Sequence, residues 1–457
     1  MKKLLAIGCG GAGMFSLVVA GQLRKGKFET IVLSDEPDIY CRCTSTYILS
    51  GEAEIDDAIQ PESMVSDYGV KIIHEKAVKI DTAKREVLTD QGTVFAYDEL
   101  VIATGARPVR PPIPGIDLPG IYTVRTSDDA RRMQETARAA ESVVVIGAGV
   151  IGMEVAGALR VGQMKHIAIV ESATSIPRAI ADPEFADRLV SLLKGNDIDV
   201  RFESRVVEIK LGADGKKEVV IERAGATESL VADMVIVATG VRPNSEIAEE
   251  AGIEVSPQGI VVDDRMRTSS AHVYACGDCA APHSAVTGER VASTLASLAI
   301  QQSKIVGFQI AGFPIRYGGS TGAFALRILG REYASVGLTE ELAREKFRWV
   351  AVGRAESTDV YNDLKSKQPL WVKLIFAGPR MRLVGYEAYG NGVIASAEVA
   401  SFAIGQKTSI LGMLRFNYIS HPSLTPWPFM NPIIMATEDA MNHLMQRIRS
   451  FLGAHSI

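Results

Sequence analysis

Two cysteines separated by a single residue carry the most reactive chemistry in this sequence. Cys41 and Cys43 lie in the segment IYCRCTSTYILSG, residues 39–51, which we call the cysteine segment. A thiolate can attack a disulfide or persulfide, form a mixed disulfide and be regenerated by a two-electron donor, and peroxide can oxidise it to a sulfenic acid. Because most cysteines in proteins are only small buried hydrophobic residues, a redox role here requires an electron source nearby.

A dinucleotide-binding pattern lies immediately upstream. An apolar strand predicted at residues 4–7 ends in Gly8, Gly10 and Gly13, which form GxGxxG, and Asp35 follows the next apolar strand. The first glycine permits a tight turn, the second lets a pyrophosphate approach the backbone at a helix N-terminus, and the acid accepts from a ribose hydroxyl. The long uncharged run here also resembles a signal peptide or membrane span, but the glycine spacing favours a strand, a turn and a helix.

The same pattern recurs further along the chain. A strand predicted at residues 142–146 leads into a second GxGxxG made by Gly147, Gly149 and Gly152, and Glu171 closes the following strand. A carboxylate at that position accepts from a ribose 2′-hydroxyl and repels a 2′-phosphate, so a nicotinamide nucleotide bound at the second turn would be NADH, with NADPH as the alternative.

Each copy of the pattern is followed by a matching eleven-residue block. The first block reads DELVIATGARP at residues 98–108, and the second reads DMVIVATGVRP at residues 233–243. Two copies of one nucleotide-binding unit imply two bound dinucleotides, since each unit supplies one phosphate-binding turn. The sequence therefore predicts an electron relay between two cofactors, close to the cysteine segment.

A third motif connects the chain to a known family. The stretch TSSAHVYACGD, residues 268–278, resembles the flavin-binding signature of two-dinucleotide flavoproteins, in which the final aspartate holds the ribityl chain of FAD. Almost the whole chain is similar to the single-cysteine branch of the FAD-dependent pyridine nucleotide-disulfide oxidoreductases, which includes coenzyme A-disulfide reductase, persulfide reductase and NADH oxidase. Around the redox cysteine that branch is similar to SxxxCGLPYxxGG, and Cys43, Tyr47 and Gly51 fall in its register.

The resemblance implies a fold and a domain order. The expected fold class is α/β, with two Rossmann-like three-layer dinucleotide-binding domains and an α+β C-terminal dimerisation domain. The FAD domain is expected at residues 1–110 and 245–319, the NAD(P)H domain at 111–244 and the interface domain at 320–457. In the family the interface domain forms a homodimer and brings residues of one subunit to the flavin of the other.

The resemblance also implies cofactor contacts. FAD is expected to contact Gly8, Gly10, Gly11, Ala12, Gly13, Asp35, Glu36, Arg42, Ala103, Thr104, Gly105, Arg107, Gly277, Asp278, Leu295 and Ala296. The nicotinamide nucleotide is expected to contact Gly147, Gly149, Val150, Ile151, Gly152, Glu154, Glu171 and Gly240. Leu295 and Ala296 open a helix predicted at residues 295–312, whose positive N-terminal end would stabilise the anionic reduced flavin.

Five residues are candidates for the chemistry itself. Cys43 is the expected redox thiol, and Cys41 is an auxiliary and potential resolving thiol, although a CxC disulfide would close a very small ring. Tyr361 and Tyr418 fall near two tyrosines of the coenzyme A-disulfide reductases. His421 lies in SHPSLTP, which is similar to the HPTxxE of dihydrolipoamide-type enzymes, where the histidine is the general acid and base.

The chain also departs from its relatives. Gly11 stands where the compared oxidases and peroxidases carry a histidine, which argues against peroxide reduction, and Pro426 stands where HPTxxE has its glutamate. Arg42, directly before Cys43, is expected either to lower the thiol pKa or to attract an anionic substrate.

Composition excludes several classes of protein. A net charge of −5 over 457 residues without a long basic run argues against nucleic acid as a partner. Five cysteines are too few for a secreted disulfide framework, so we expect a reducing, cytoplasmic location and no membrane span. The pattern of CxC plus Cys276 and Cys279 invites a zinc or iron–sulfur interpretation, but Asp278 and the glycine turn already have cofactor roles, so no metal is expected.

Together these features predict an NADH-dependent, FAD-containing disulfide reductase. Its substrate would be a low-molecular-weight thiol disulfide similar to coenzyme A disulfide, a persulfide or a polysulfide, reduced through Cys43. Two alternatives stay open: an NADH oxidase, and an electron-transfer subunit that passes electrons to a rubredoxin- or ferredoxin-type partner.

Overall fold

The structure is a computed structural model that describes residues 1–454. The last three residues of the region predicted as the interface domain, 455–457, lie outside the described residues. The strands are β1 (Lys2–Ile7), β2 (Phe28–Leu33), β3 (Ile39–Tyr40), β4 (Ile59–Gln60), β5 (Val70–Ile73), β6 (Ala77–Asp81), β7 (Glu86–Thr89), β8 (Val94–Ala96), β9 (Glu99–Ile102), β10 (Ala106–Pro108), β11 (Ile121–Thr123), β12 (Ser142–Ile146), β13 (His166–Val170), β14 (Ile198–Arg201), β15 (Arg205–Leu211), β16 (Lys217–Arg223), β17 (Ala226–Ala232), β18 (Met234–Val237), β19 (Val241–Pro243), β20 (Val255–Ser256), β21 (Gly259–Val261), β22 (Val273–Ala275), β23 (Ala280–Ala281), β24 (Phe324–Ile328), β25 (Arg331–Gly337), β26 (Val350–Thr358), β27 (Pro369–Ala377) and β28 (Arg382–Gly390). The helices are α1 (Gly11–Leu23), α2 (Ser45–Ser50), α3 (Ile55–Ala58), α4 (Ser63–Ser66), α5 (Ser127–Ala137), α6 (Val150–Val161), α7 (Pro183–Lys194), α8 (Glu246–Glu250), α9 (Ala296–Ile310), α10 (Glu340–Lys346), α11 (Val393–Gly405), α12 (Ile410–Met413) and α13 (Pro432–Ala454), with 3₁₀ turns at Arg42–Thr44 and Pro428–Met430.

Two parallel sheets share one plan. The first has the order β22-β9-β1-β2-β5 and the second has the order β11-β18-β12-β13-β14. In each sheet the central strand is an apolar run that ends in a glycine turn, as expected for parallel strands covered on both faces. Strand β22 completes the first sheet although the entire second sheet lies between β9 and β22 in the chain. The predicted α/β fold class with two Rossmann-like units is confirmed.

The two eleven-residue blocks meet in space. Strand β9 and strand β18 lie next to the central strands of their sheets, and the following strands β10 and β19 pair antiparallel with each other. Beyond that pair, Asn244 donates from its side-chain amide to the Thr104 carbonyl at 2.9 Å, and the Thr104 hydroxyl donates to the Asn244 carbonyl at 2.5 Å. The blocks therefore join the two nucleotide-binding units to each other.

The third unit is an antiparallel sheet with the order β24-β25-β28-β27-β26. Helix α11 packs on β25 and β28, and helix α13 packs on β26 and β27. At Gly353 in β26 the approach is so close that a Cβ would overlap the Ala436 carbonyl oxygen. Glycine is therefore required where α13 lies on the sheet.

The elements near the predicted flavin match their predicted positions to within a few residues. The helix predicted at residues 295–312 runs from Ala296 to Ile310, with Leu295 as its N-cap in an extended conformation. The uncharged N-terminal run forms β1, a glycine turn and α1. Across residues 1–454, no helix combines the length and apolar character needed to span a bilayer.

A buried lysine links the second unit to the third. The Lys373 ammonium on β27 lies 2.8 Å from the carboxylates of Asp182, Glu184 and Glu340, and its side chain is 2% exposed. Asp182 is the N-cap of α7, and Glu340 opens α10. Because a buried ammonium needs compensating charge, this cluster holds α7 against the C-terminal sheet.

The cluster makes a stability prediction. We expect Lys373→Met to lower the free energy of unfolding by about 3–5 kcal/mol, because it leaves the buried Asp182 carboxylate without a cation, whereas Arg354 still pairs with Glu184 and Glu340. Urea unfolding followed by circular dichroism measures the change, and the matched control is Lys365→Met at an exposed position of the same unit. Equal stability of the two variants would contradict a structural role for Lys373.

Candidate active site

The two glycine turns have the same geometry. Gly8 has a φ of +104° and Gly147 a φ of +108°, a region that favours glycine. A Cβ at Gly8 would overlap the Ala103 carbonyl oxygen, so the turn lies directly against the loop after β9. At Gly10 and Gly149, by contrast, a Cβ would meet no atom within 4 Å. Each turn therefore leaves an open approach to the backbone at a helix N-terminus, as phosphate binding requires.

A cavity of about 720 Å³ opens beside the first turn. Its lining includes the following residues expected to contact FAD: Gly8, Gly10, Asp35, Glu36, Arg42, Ala103, Thr104, Gly105 and Arg107. Gly11, Ala12 and Gly13 form the start of α1 behind the turn, and Ala12 packs against Gly277. Asp278 does not line the cavity itself, but its carboxylate contacts Arg125, which does. Leu295 and Ala296 are not among the lining residues.

Three residues that sequence reasoning missed support this cavity. Arg125 lines it and places its guanidinium 3.3 Å from the Asp278 carboxylate. Gln302, fully buried on α9, accepts from the Gly277 backbone amide at 2.9 Å and thereby fixes the turn before Asp278. Asn244 also lines the cavity. None of the three belongs to a repeated motif, so the sequence offers no local signal for them.

The cysteine segment forms a 3₁₀ turn followed by helix α2. Both thiols are free and exposed in the single chain. The Cys41 backbone amide donates to the Ala58 carbonyl at 2.8 Å, which anchors the turn. The Arg42 guanidinium binds both carboxylate oxygens of Glu36, at 2.5 and 2.6 Å. The arginine is therefore held toward the first glycine turn and not toward the thiol that follows it.

The environment raises the pKa of the Cys43 thiol. Desolvation by the protein atoms packed around the thiol, although the residue still reaches solvent, is the largest cause, followed by the charges of Cys41, Glu154 and Asp278. Arg42 lowers the pKa, as the sequence suggested, but its effect is the smallest of these and the net shift is upward. Arg42 thus lowers the thiol pKa in the expected direction, but desolvation and the neighbouring negative charges outweigh it.

Helix α6 brings the second glycine turn to the cysteine segment. Helix α2 packs on α6, and a Cβ at Gly162 would lie 2.6 Å from the Leu49 carbonyl oxygen. Glu154 lies on α6 and acts on Cys43 across this contact. Burial raises the pKa of Glu154 to about 7, and only the backbone amide of Arg327 opposes the shift.

The other residues expected to contact the nicotinamide nucleotide surround the second turn. The Glu171 carboxylate accepts from the backbone amides of Ala148 and Ala173 at 2.9 and 2.8 Å, so it lies beside the turn. Gly147, Gly149, Val150, Ile151 and Gly152 form the turn and the first residues of α6, and Gly240 follows β18 in a left-handed conformation.

The C-terminal candidates are not brought to Cys43 within the chain. The Tyr361 hydroxyl pairs with Ser420 at 2.9 Å, and the Tyr418 hydroxyl donates to the Pro428 carbonyl at 2.7 Å. His421 Nδ1 lies 3.1 Å from the Ser423 hydroxyl. These three residues therefore form a separate exposed surface on the third unit.

The other cysteines are structural in character. Cys276 and Cys279 are fully buried, and burial raises the pKa of both thiols. The Cys279 thiol donates to the Ile102 carbonyl at 3.4 Å. Cys9 lines the cavity, and burial together with Glu62 and Glu36 raises its pKa to about 12. In the part of the chain that the structure describes, no group of three or more His, Cys, Asp or Glu side chains is arranged to hold a metal ion.

Known proteins share this architecture. Over 97% of its length the chain is 31% identical to an NADH oxidase of Methanocaldococcus jannaschii and covers all of that protein. It is 27% identical over 88% of its length to an NAD(P)H coenzyme A polysulfide/persulfide reductase of Pyrococcus horikoshii, of which it covers 90%. The structure of an NAD-dependent persulfide reductase from A. fulgidus is similar with a TM-score of 0.90 at 28% identity, covering 97% of this chain and 84% of that one.

Two family profiles match the chain. Residues 2–303 match the family described as pyridine nucleotide-disulphide oxidoreductase, and residues 328–428 match the dimerisation domain of the same family. The first match alone covers more than half of the sequence, and it includes both glycine turns and the cysteine segment. The chain therefore belongs to the pyridine nucleotide-disulphide oxidoreductase family, whose members are FAD-dependent NAD(P)H oxidoreductases.

Proposed function

We propose that this protein is an NADH:disulfide oxidoreductase that reduces a low-molecular-weight disulfide, persulfide or polysulfide through Cys43. The observation that carries the proposal is the position of Cys43 between the two nucleotide-binding units. Its thiol is close enough to Asp278 of the first unit and Glu154 of the second for both charges to shift its pKa. A thiol at this position can exchange electrons with a cofactor that both units reach.

The first unit is proposed to hold FAD. The cavity of about 720 Å³, the open backbone at Gly10 and a buried Arg42 Nε without a hydrogen-bond partner all fit a phosphate-containing dinucleotide. Asp35, which lines the cavity, and Asp278, which lies beside the lining residue Arg125, supply acceptors for ribose and ribityl hydroxyls. When bound, FAD carries electron pairs between the nicotinamide and the thiol. The domain limits 1–110 with 245–319, 111–244 and 320–457 are proposed on the same grounds.

NADH is proposed as the electron donor. Glu171, held beside the second turn by two backbone amides, is suited to a ribose 2′-hydroxyl and repels a 2′-phosphate. The nearby Arg178 does not offset this charge, because it forms ion pairs with Glu341 and Glu345 of α10.

The proposed reaction at Cys43 has two stages. The thiolate attacks one sulfur of the substrate RSSR, which forms the Cys43–S–S–R bond and releases RS⁻. Two electrons and one proton from NADH, a hydride equivalent, then break that bond and give the Cys43 thiolate and one RSH, and the RS⁻ released earlier takes a proton from water to give the second RSH. The sum is RSSR, NADH and one proton giving two RSH and NAD⁺.

The third unit is proposed to complete the site from a second copy. The loop that carries His421 exposes large apolar side chains, with Ile419 at 85%, Leu424 at 74% and Phe429 at 71% exposed. A homodimer would bury them and bring Tyr361, Tyr418 and His421 toward the thiol of the partner subunit. Five free cysteines suit a reducing compartment such as the cytoplasm.

A second candidate function is NADH oxidation by oxygen, favoured by the similarity to the Methanocaldococcus oxidase. Against it, Gly11 stands where the compared oxidases and peroxidases carry a histidine. Oxygen uptake with NADH and no added disulfide tests this candidate. Electron transfer from NADH to a rubredoxin- or ferredoxin-type protein stays a prediction.

Replacement of the candidate thiol tests the main proposal. We expect Cys43→Ser to lower disulfide or polysulfide reduction by about 1000-fold or more, because the nucleophile is lost. NADH-dependent reduction of ferricyanide should persist, which shows that both cofactor sites remain intact. Disulfide turnover by this variant at the wild-type rate would refute the mechanism.

The role of Cys41 can be distinguished from that of Cys43 by a second substitution. Because the charge of Cys41 raises the pKa of Cys43, Cys41→Ser should lower that pKa and speed the alkylation of Cys43 by iodoacetamide at alkaline pH, where thiols carry charge. Mass spectrometry of the labelled peptide measures the rate. Accumulation of a Cys43 mixed disulfide during turnover would identify Cys41 as a resolving thiol, and normal turnover would identify it as auxiliary.

A further inference from the structure

A second cavity, lined mainly by basic and apolar residues, lies at the edge of the C-terminal sheet. It has a volume of about 420 Å³, lies among residues of α10, β26 and α13, and shares no lining residue with the cavity beside the first glycine turn. Cavities that bind small molecules commonly have volumes of about 300–1,000 Å³. Among the described residues that line it none is acidic, and four can carry positive charge: Arg344, Arg354, His443 and Arg447.

Side chains of α13 hold this helix against the edge of the sheet. Strand β26 is the last strand in the order, so alternate residues along it turn their backbone polar groups away from the sheet. Asp439, His443 and Arg447 share one face of α13, because they are spaced by four positions. They meet three of these backbone groups: the Arg354 amide donates to the Asp439 carboxylate at 2.9 Å, His443 Nδ1 lies 3.3 Å from the Val352 carbonyl oxygen, and Arg447 donates to the Val350 carbonyl at 3.1 Å. Two of the cationic residues are thus fixed at the cavity by the strand itself.

The other two arginines are fixed by carboxylates that do not line the cavity. Arg344 donates from Nε and Nη2 to one oxygen of Glu340, at 2.9 and 2.6 Å, and Arg354 donates from Nη2 to the other oxygen at 2.7 Å. Arg354 also donates from Nε to Glu184 at 3.1 Å. Since Glu340 binds Lys373 as well, this one carboxylate is shared by three cations. The two guanidinium groups are therefore held in place while their side chains stay half-exposed.

Each of the three arginines keeps donors for a ligand. Within residues 1–454, hydrogen bonds use two of the three guanidinium nitrogens of Arg344 and of Arg354, and one of those of Arg447. A cation near the end of a helix also complements the negative end of the helix dipole, which explains Arg344 in the last turn of α10. It does not explain Arg447, which lies more than a turn before the end of α13. Guanidinium groups with free donors suit the oxygens of a phosphate or a carboxylate.

The rest of the lining is neutral. Val350, Ala351 and Val352 are buried and, with Leu444, supply apolar surface, whereas Gln446 and Ser450 add an amide and a hydroxyl. Apolar surface gains free energy when the carbon part of a ligand covers it, because water is released. The cavity therefore fits a molecule that combines an anionic group with a small apolar body.

We propose that this cavity binds a small organic phosphate, whose oxygens meet Arg344, Arg354 and Arg447 and whose carbon part covers the apolar lining. A phosphate monoester is favoured over a carboxylate, because it offers more acceptor oxygens and more negative charge to three separate guanidinium groups. The site does not depend on the proposed disulfide chemistry, since none of its lining residues belongs to the candidate active site. A ligand there contacts α10, β26 and α13 together and stabilises the third unit by binding its folded form.

The test measures the binding of phenyl phosphate to the purified flavoprotein by isothermal titration calorimetry. Saturating NAD⁺ and a phosphate-free buffer keep the probe from the nucleotide turns. Arg447→Gln should weaken binding by about tenfold or more, because a charge-assisted hydrogen bond is lost. The matched control is Arg449→Gln, which removes the same charge from an exposed residue of α13 outside the lining. It should change the affinity by less than about twofold, because salt screens an exposed charge that makes no contact with the ligand.

A second variant covers the case in which Arg447→Gln loosens α13. Gln446→Glu keeps every cationic residue of the cavity and adds a carboxylate to its lining, so it should also weaken phenyl phosphate binding by about tenfold or more through repulsion at short range. Equal melting temperatures of the ligand-free variants show that each is folded. Benzoate, which has the same ring and a single charge, should bind more weakly than phenyl phosphate.

Four results would overturn the proposal. Wild-type protein that shows no saturable binding at millimolar phenyl phosphate has no such site. Wild-type affinity in both Arg447→Gln and Gln446→Glu would place the probe elsewhere on the molecule. An equal loss of affinity in Arg449→Gln would reduce the effect to general surface charge. Benzoate that binds as tightly as phenyl phosphate would make the cavity a carboxylate site instead.

Discussion

The contact between helix α6 and the cysteine segment is the constraint on which the candidate site depends. Gly162 allows the Leu49 carbonyl to approach the helix, since a Cβ would lie 2.6 Å from that oxygen. The same helix begins at the second glycine turn and packs on β24 of the third unit. A shift of α6 would therefore move the nucleotide turn relative to the thiol and disturb the C-terminal sheet. Because packed interiors deform little, the three parts are held in one arrangement.

This arrangement produces an unusual electrostatic setting for a reactive cysteine. Activated thiols commonly lie beside cations or helix N-termini that lower their pKa. Here the nearest cation, Arg42, is paired with Glu36, and the remaining charges oppose thiolate formation. The Cys43 thiol is therefore not activated by a neighbouring cation in the single chain.

Contacts between distant parts of the chain also join the three units that surround the candidate site. The antiparallel pair of β10 and β19 joins the two nucleotide-binding units. The Lys373 cluster joins the second unit to the third. These ion pairs and this strand pair limit the movement of one unit against another, because breaking either connection would leave polar groups unpaired.

The sequence by itself determined the fold class, the two glycine turns and the place of the cysteine segment after the first dinucleotide-binding unit. These features are local: a turn at Gly8 needs a φ of +104°, and glycine at fixed spacing after an apolar strand is visible in a few residues. Only the tertiary structure shows which residues from distant parts of the chain contact each other at the site. Arg125 meets Asp278 across 153 positions, and Gln302 fixes Gly277 from another helix. The net effect on the Cys43 pKa likewise depends on Glu154 and Asp278, which no spacing in the sequence places beside it, because side-chain charge acts through space and not along the chain.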